Sequence, residues 1–82
     1  MAQVLNFYFR ENCHLCESMR RELSIFSQKH PVQWNELDID RDIELIRRYD
    51  VEVPVLTVDN QVICYHFFDE MALLLALSEI EN

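Results

Sequence analysis

Two cysteines separated by two residues, Cys13-His14-Leu15-Cys16, are the side chains best suited to chemistry in this sequence. A thiol is a weak nucleophile at neutral pH until it loses its proton. At the start of a helix, unpaired backbone N–H groups and the helix dipole favour the thiolate, and thiol pKa values there fall to roughly 3.5–7.5. The spacing puts Cys13 at such a start and Cys16 one turn inward on the same face. An exposed sulfur that attacks and a sheltered one that resolves are the two halves of thiol–disulfide exchange. Two other readings of the pair stand beside this one. The cysteines can be inert buried thiols, or half of a zinc site completed by Cys64 and His66 or by His14 and His30. Zinc sites usually take their other two ligands from a second close pair, which this chain lacks. Cys64 lies in an apolar stretch and reads as a core residue.

His14 has two readings. When protonated it stabilises a Cys13 thiolate and makes the pair more oxidising; otherwise it is an exposed residue at a helix start. Val53-Pro54 is a weaker signal. Proline at the head of a strand is commonly an edge-strand start, and only about 5–6% of X–Pro bonds are cis.

The elements that must position these residues follow from pattern. Val4 to Phe9 is aromatic and branched, as in a buried strand. Arg10-Glu11-Asn12 breaks it, and Asn12 is a capping type for a helix from about Cys13, with Leu15, Met19, Leu23 and Phe26 inward and Pro31 as the stop. A second strand spans about Gln33 to Ile39. Asp40 or Asp42 caps a short helix carrying Ile43, Ile46 and Tyr49, and Asp50 stands where helices often end in a left-handed residue. Val53 to Val58 and Gln61 to Tyr65 form a hairpin around Asp59-Asn60. Asp69 caps a last helix from Glu70 to about Ser78. Met71, Leu73, Leu74, Leu75 and Leu77 cover more than one face of it, so it packs into the core with some residues left for a partner. The order is β-α-β-α-β-β-α, with a right-handed crossover between the first two strands. The chain has no glycine, where average usage predicts about six. Positive φ angles therefore fall to residues such as Asp50 and Asn60.

At 82 residues, half of them hydrophobic and 27% charged, residues 1–82 read as a single domain and not as a disordered chain. The longest apolar run, Met71 to Leu77, is far short of the roughly 18–20 residues that cross a bilayer. Met1-Ala2-Gln3-Val4-Leu5 does not look like a signal peptide, so a cytoplasmic location is expected. Three cysteines, an odd number, suit redox or metal chemistry better than a disulfide scaffold. The net charge of −8 disfavours nucleic acid and anionic membrane as partners. It is unevenly spread: residues 1–30 carry Arg10, Arg20, Arg21 and Lys29 against Glu11, Glu17 and Glu22, so the cysteine pair sits in the least acidic third.

A strand, a Cys-x-x-Cys pair opening a helix, and a Val-Pro leading into a hairpin together resemble the glutaredoxins and the wider thioredoxin superfamily, nearest to the small bacterial glutaredoxin-like proteins. The resemblance runs through nearly the whole chain in element order. It implies an α/β fold with a four-stranded mixed sheet of order 2-1-3-4, the first and third helices on one face and the second on the other. It implies a thiol–disulfide oxidoreductase with Cys13 as nucleophile and Cys16 as resolving residue. Pro54 resembles the cis-proline facing the pair, and Val53 the residue whose main chain grips an extended substrate. Arg10 is similar to a basic residue placed near a glutathione carboxylate; its other reading is a solvated loop charge. Phe7 stands where thioredoxins proper carry a buried aspartate. The chain departs from glutaredoxins at His14-Leu15, at Glu52, and at His66-Phe67-Phe68-Asp69, which replaces a Gly-Gly before the aspartate. Asp69 either offers a carboxylate or helix-start N–H groups to a ligand or serves as a helix cap. The implied partners are a disulfide-bearing protein or a small thiol, with glutathione as a possible co-substrate, no bound cofactor, and a monomer or weak dimer. A redox poise between about −270 and −200 mV spans the range from thioredoxin to glutaredoxins. A non-catalytic module holding a protein through Pro54, Phe67 and Phe68 is the rival from another class.

If His14 stabilises the thiolate, His14→Ala raises the alkylation midpoint of Cys13 in a rate-against-pH measurement; an unmoved midpoint leaves it an exposed helix-start residue.

Overall fold

The computed structural model describes residues 3–78. Four strands, β1 (Leu5–Phe9), β2 (Trp34–Asp38), β3 (Val55–Val58) and β4 (Gln61–Tyr65), are interleaved with helices α1 (His14–Lys29), α2 (Ile43–Tyr49) and α3 (Glu70–Ser78). A single 3-10 turn over Ile39–Arg41 precedes α2. The sheet order is β2-β1-β3-β4. The first pair is parallel and the other two are antiparallel. This is the expected mixed sheet.

Alternation along β1 sends Leu5 and Phe7 to one face and Tyr8 to the other, and the helices divide accordingly. On the first face Cys16, Met19, Leu23 and Phe26 of α1 and Leu73 of α3 bury against Leu5, Phe7, Leu56, Val58 and Cys64. On the second, Ile39 and Tyr49 close over Tyr8 and Val55. Each large side chain so enclosed contributes roughly 1.5–3 kcal/mol. α3 divides as a partly solvated helix should: Leu73 is buried, Leu74 and Leu77 pack partly against the core, and Met71 and Leu75 are exposed. Among the described residues no helix is long and apolar enough to cross a membrane.

Several local expectations are corrected. Leu15 is exposed, and Cys16 takes the inward position in its place; positions 16, 19, 23 and 26 form one stripe, and residue 15 lies at its edge, about 60° from its centre. Asn12 does not cap α1. It adopts φ 57 while Cys13 becomes the N-cap. Asp50 is right-handed, with φ −44, because the chain continues through a further turn rather than reversing there. β3 begins at Val55, after Pro54, and β2 is confined to Trp34–Asp38. The register of β3 on β4 shifts between Leu56, opposite Cys64, and Thr57, opposite Val62, leaving Ile63 as a bulge.

Without glycine, the tight turns fall to residues that tolerate positive φ: Asn12, Asp59, Asn60 and His66. Asp59 and Asn60 form the expected two-residue hairpin loop. Asp59 also accepts a hydrogen bond from the Val4 N–H through Oδ1 at 2.9 Å and donates its own N–H to the Val4 carbonyl at 2.9 Å, which seats the hairpin on the start of β1. Asn60→Val, which places a β-branched residue at φ 69, is expected to lower stability by about 1–2 kcal/mol, while Asn60→Gly stays within about 0.5 kcal/mol of the parent. Urea unfolding of the two variants tests this; equal midpoints contradict it.

Candidate active site

The loop Arg10–Cys13 carries the chain from the end of β1 into α1. Cys13 is extended, at φ −115 and ψ 108, and its sulfur accepts the Cys16 N–H at 3.1 Å. Its carbonyl accepts the Glu17 N–H at 3.1 Å. The sulfur thus occupies the place an N-cap oxygen normally takes, where an orphan helix N–H meets it. That donor and the helix dipole both favour negative charge on the atom once it is reduced. Cys16, by contrast, is only 1% exposed and belongs to the core stripe of α1, whereas Cys13 is half-buried. The two sulfurs lie at disulfide bonding distance, with Cα atoms 5.2 Å apart.

The opposite wall comes from the chain entering β3. β1 and β3 are antiparallel and Tyr8 pairs with Val55, so the loop leading to Cys13 and the loop ending at Pro54 emerge at the same end of the sheet. The Val53-Pro54 bond is cis, as the resemblance implied. Pro54 is buried and its carbonyl accepts the His66 N–H at 2.8 Å. The Val53 N–H donates to the Tyr49 carbonyl at 3.1 Å. Its carbonyl accepts no hydrogen bond among the described residues.

Arg10 links the two loops. Its guanidinium holds Asp40 through both carboxylate oxygens at 3.0–3.1 Å and Asp50 through Oδ1 at 2.9 Å. The hydrogen bond to Asp40, then that to Asp50, raises its pKa further above an already high ordinary value. Arg10 is thus a partly exposed loop charge paired with two carboxylates. Residues 10, 40 and 50 are too far apart in sequence for this triad to have been legible there.

The remaining candidates divide. His14 is exposed at the first position of α1. Asp69 caps α3, its Oδ1 accepting the Ala72 N–H at 3.0 Å. Phe68 is partly buried and meets Phe26 edge-on at 6.1 Å, so it is withdrawn from the surface on which the rival binding module relied, whereas Phe67 is 70% exposed. Among the described residues no group of three or more His, Cys, Asp or Glu converges as a metal site. His66 and His30 are each otherwise engaged, the first through a ring nitrogen 2.8 Å from the Val51 carbonyl oxygen and the second against the Phe26 ring at 4.8 Å. Sequence reasoning missed Arg20. It lies over the Phe9 ring at 4.8 Å, donates to Glu36 at 3.2 Å, and with Arg10 and Cys16 lines a hollow of about 300 Å³ beside the pair. Its position on the face of α1 toward β2, one turn beyond Cys16, was the available signal.

Residues 4–78 match the model of a family described as the glutaredoxin-like domain (DUF836). Among solved structures, the chain is similar to protein Ne2328 from Nitrosomonas europaea, at 31% identity and a TM-score of 0.82 over 93% of this chain and 92% of that one. It is also similar to target protein XcR50 from X. campestris, at 25% identity and a TM-score of 0.63 over 92% and 96% of the two chains. Its likeness to oxidised mitochondrial thioredoxin 3 from Saccharomyces cerevisiae, at 19% identity and a TM-score of 0.66 over 94% and 77%, is one of fold. No curated protein matches the chain significantly.

The third cysteine is set apart from the pair. Burial pushes the Cys64 thiol pKa up, the Asp69 backbone N–H opposes this, and the negative charges of Asp69 and Glu22 reinforce it. A raised folded pKa means that folding favours the protonated thiol. The resulting stabilisation is complete below the unfolded pKa and is lost as pH rises through the folded one. Reduced native protein is therefore expected to take up alkylating reagent at Cys64 only slowly at mildly alkaline pH, and rapidly in denaturant. Equal rates with and without denaturant contradict the assignment.

Proposed function

This chain belongs to the glutaredoxin-like domain family, and from that premise we propose that it is a thiol–disulfide oxidoreductase acting through Cys13 and Cys16. The carrying observation is the contrast between the two sulfurs: one half-exposed in an N-cap position, the other buried one turn behind it at bonding distance. In the reduced form the Cys13 thiolate attacks one sulfur of a substrate disulfide. A Cys13–substrate bond forms, the substrate S–S bond breaks, and the departing sulfur leaves as a thiolate that takes a proton from water. Cys16 then gives up its proton and attacks the Cys13 sulfur. The Cys13–Cys16 bond forms, the second substrate sulfur leaves, and two electrons have passed from the pair to the substrate. An external thiol, with glutathione or a thioredoxin-type dithiol as the candidate donors, restores the reduced pair; a cytoplasmic setting supplies such reductants.

The other site residues serve this exchange. The open carbonyl of Val53 is the group that accepts from the backbone of an extended substrate, and buried Pro54 holds it beside the pair. Arg10 acts by tying the two loops together. To grip a substrate carboxylate through both oxygens it would have to release Asp40 or Asp50, and that competition weighs against a tight glutathione site. His14, exposed at the first position of α1 and next to Cys13 in the chain, is the residue whose protonated form would favour the Cys13 thiolate. Asp69 serves mainly as the cap of α3, with its carboxylate or the helix-start N–H groups as the ligand-facing alternative.

A second reading has one observation in its favour: Val51 is 81% exposed and Phe67 70% exposed, an apolar pair suited to a binding module that holds a protein without reducing it. Disulfide reduction measured with glutathione and, in parallel, with a thioredoxin-reductase system separates the two. The oxidoreductase is expected to turn over with at least one of them. Cys13→Ser should fall to the uncatalysed background, while Cys16→Ser should trap the substrate on Cys13 as a mixed disulfide. Activity with neither reductant, together with undiminished partner binding by Cys13→Ser, overturns the proposal in favour of the binding module.

A further inference from the structure

At the end of β4 the backbone of His66 takes φ 66, a conformation in which glycine is at ease and a histidine is not. The Phe67 N–H donates to the Tyr65 carbonyl at 2.7 Å across it, closing a three-residue turn of the strained, positive-φ kind. Strain of this sort persists where surrounding contacts over-determine it. Here the contacts lead to one place. The His66 N–H donates to the Pro54 carbonyl at 2.8 Å, and its Nε2 lies 2.8 Å from the Val51 carbonyl oxygen. A carbonyl oxygen can only accept, so this nitrogen carries the proton. The ring is steadied edge-on by Tyr65 at 4.9 Å. One residue therefore holds the loop of residues 51–54 at both of its ends.

We infer that His66 is a positioning residue: its main chain and its imidazole clamp the Val51–Pro54 loop from the β4 side and hold the Val53 carbonyl in place for the backbone of an extended disulfide substrate. The inference rests on the oxidoreductase reading. Its geometric basis is independent of the cysteines. Tyr49 anchors the loop from α2, accepting the N–H groups of Glu52 at 2.9 Å and Val53 at 3.1 Å, and Arg10 holds Asp50 just ahead of it. Those two anchors act before residue 54. His66 is the one that reaches across from the hairpin, and its ring supplies the only side-chain hydrogen bond to Val51 among the described residues.

His66→Gly keeps the backbone donor to Pro54, relieves the positive φ, and removes only the ring. His66→Gln restores an amide N–H at about the same reach. With insulin as a polypeptide disulfide, His66→Gly is expected to raise KM about tenfold with kcat retained, the effect of one lost hydrogen bond. Bis(2-hydroxyethyl) disulfide, which has no peptide backbone, should show a much smaller change, and His66→Gln should recover most of the loss. A KM for insulin that stays at the parent value overturns the inference, as does an equal slowing on both disulfides accompanied by a lowered thermal midpoint. If the parent protein reduces neither disulfide, the oxidoreductase reading fails by itself and the substrate role of His66 goes with it. The clamp is then judged by hydrogen exchange at the Val53 amide, which the loss of the ring should accelerate about tenfold; an unchanged rate overturns that too.

Discussion

Which of the two cysteines is buried depends on the rotation of α1 about its axis, and that rotation is set far from the site. Met19, Leu23 and Phe26 bury against the sheet on one stripe of the helix, and Cys16 continues the stripe into the first turn. A helix rotated by one residue would expose the Cys16 sulfur and bury His14 or Leu15 in its place. The hydrophobic contacts of the first helical face thereby decide which cysteine is reachable and which is withheld. The contrast in exposure between two chemically identical side chains is a by-product of core packing.

The facing wall is built by a different kind of interaction. The loops bearing Cys13 and Pro54 emerge side by side because β1 and β3 are antiparallel, but adjacency alone does not hold them in register. Arg10, Tyr49 and His66 do so through hydrogen bonds drawn from three elements. The ion pairs of Arg10 are partly solvent-exposed and contribute little to global stability; their effect is on geometry. The acidic excess of residues 31–82 finds a use here, since Asp40 and Asp50 are two of its members.

The lack of glycine shows how far a sequence can be read locally. Asn60 was legible as a left-handed turn residue because a two-residue hairpin between alternating strands demands it. Asp50 was not, since a helix end can continue into a right-handed turn, and this one does. His66 carried no local signal at all: its positive φ is imposed by contacts to Val51 and Pro54, fifteen and twelve positions earlier. Asn12 was recognised as a special position but given the wrong task, because a cysteine sulfur is rarely expected to cap a helix.

From the amino-acid order alone came the element sequence, the sheet class, the helical stripe from Met19 to Phe26 and the cysteine pair, because periodicity, turn types and the spacing of two cysteines are local properties of the chain. Only the folded chain decided which groups Arg10 and His66 would hold, that Phe68 would pack against the core while Phe67 stayed out, and that the Val53 carbonyl would accept no hydrogen bond at the end of the sheet where the cysteine loop emerges. Those outcomes depend on distances between residues remote in sequence, which exist only once the strands have paired and the helices have packed on them.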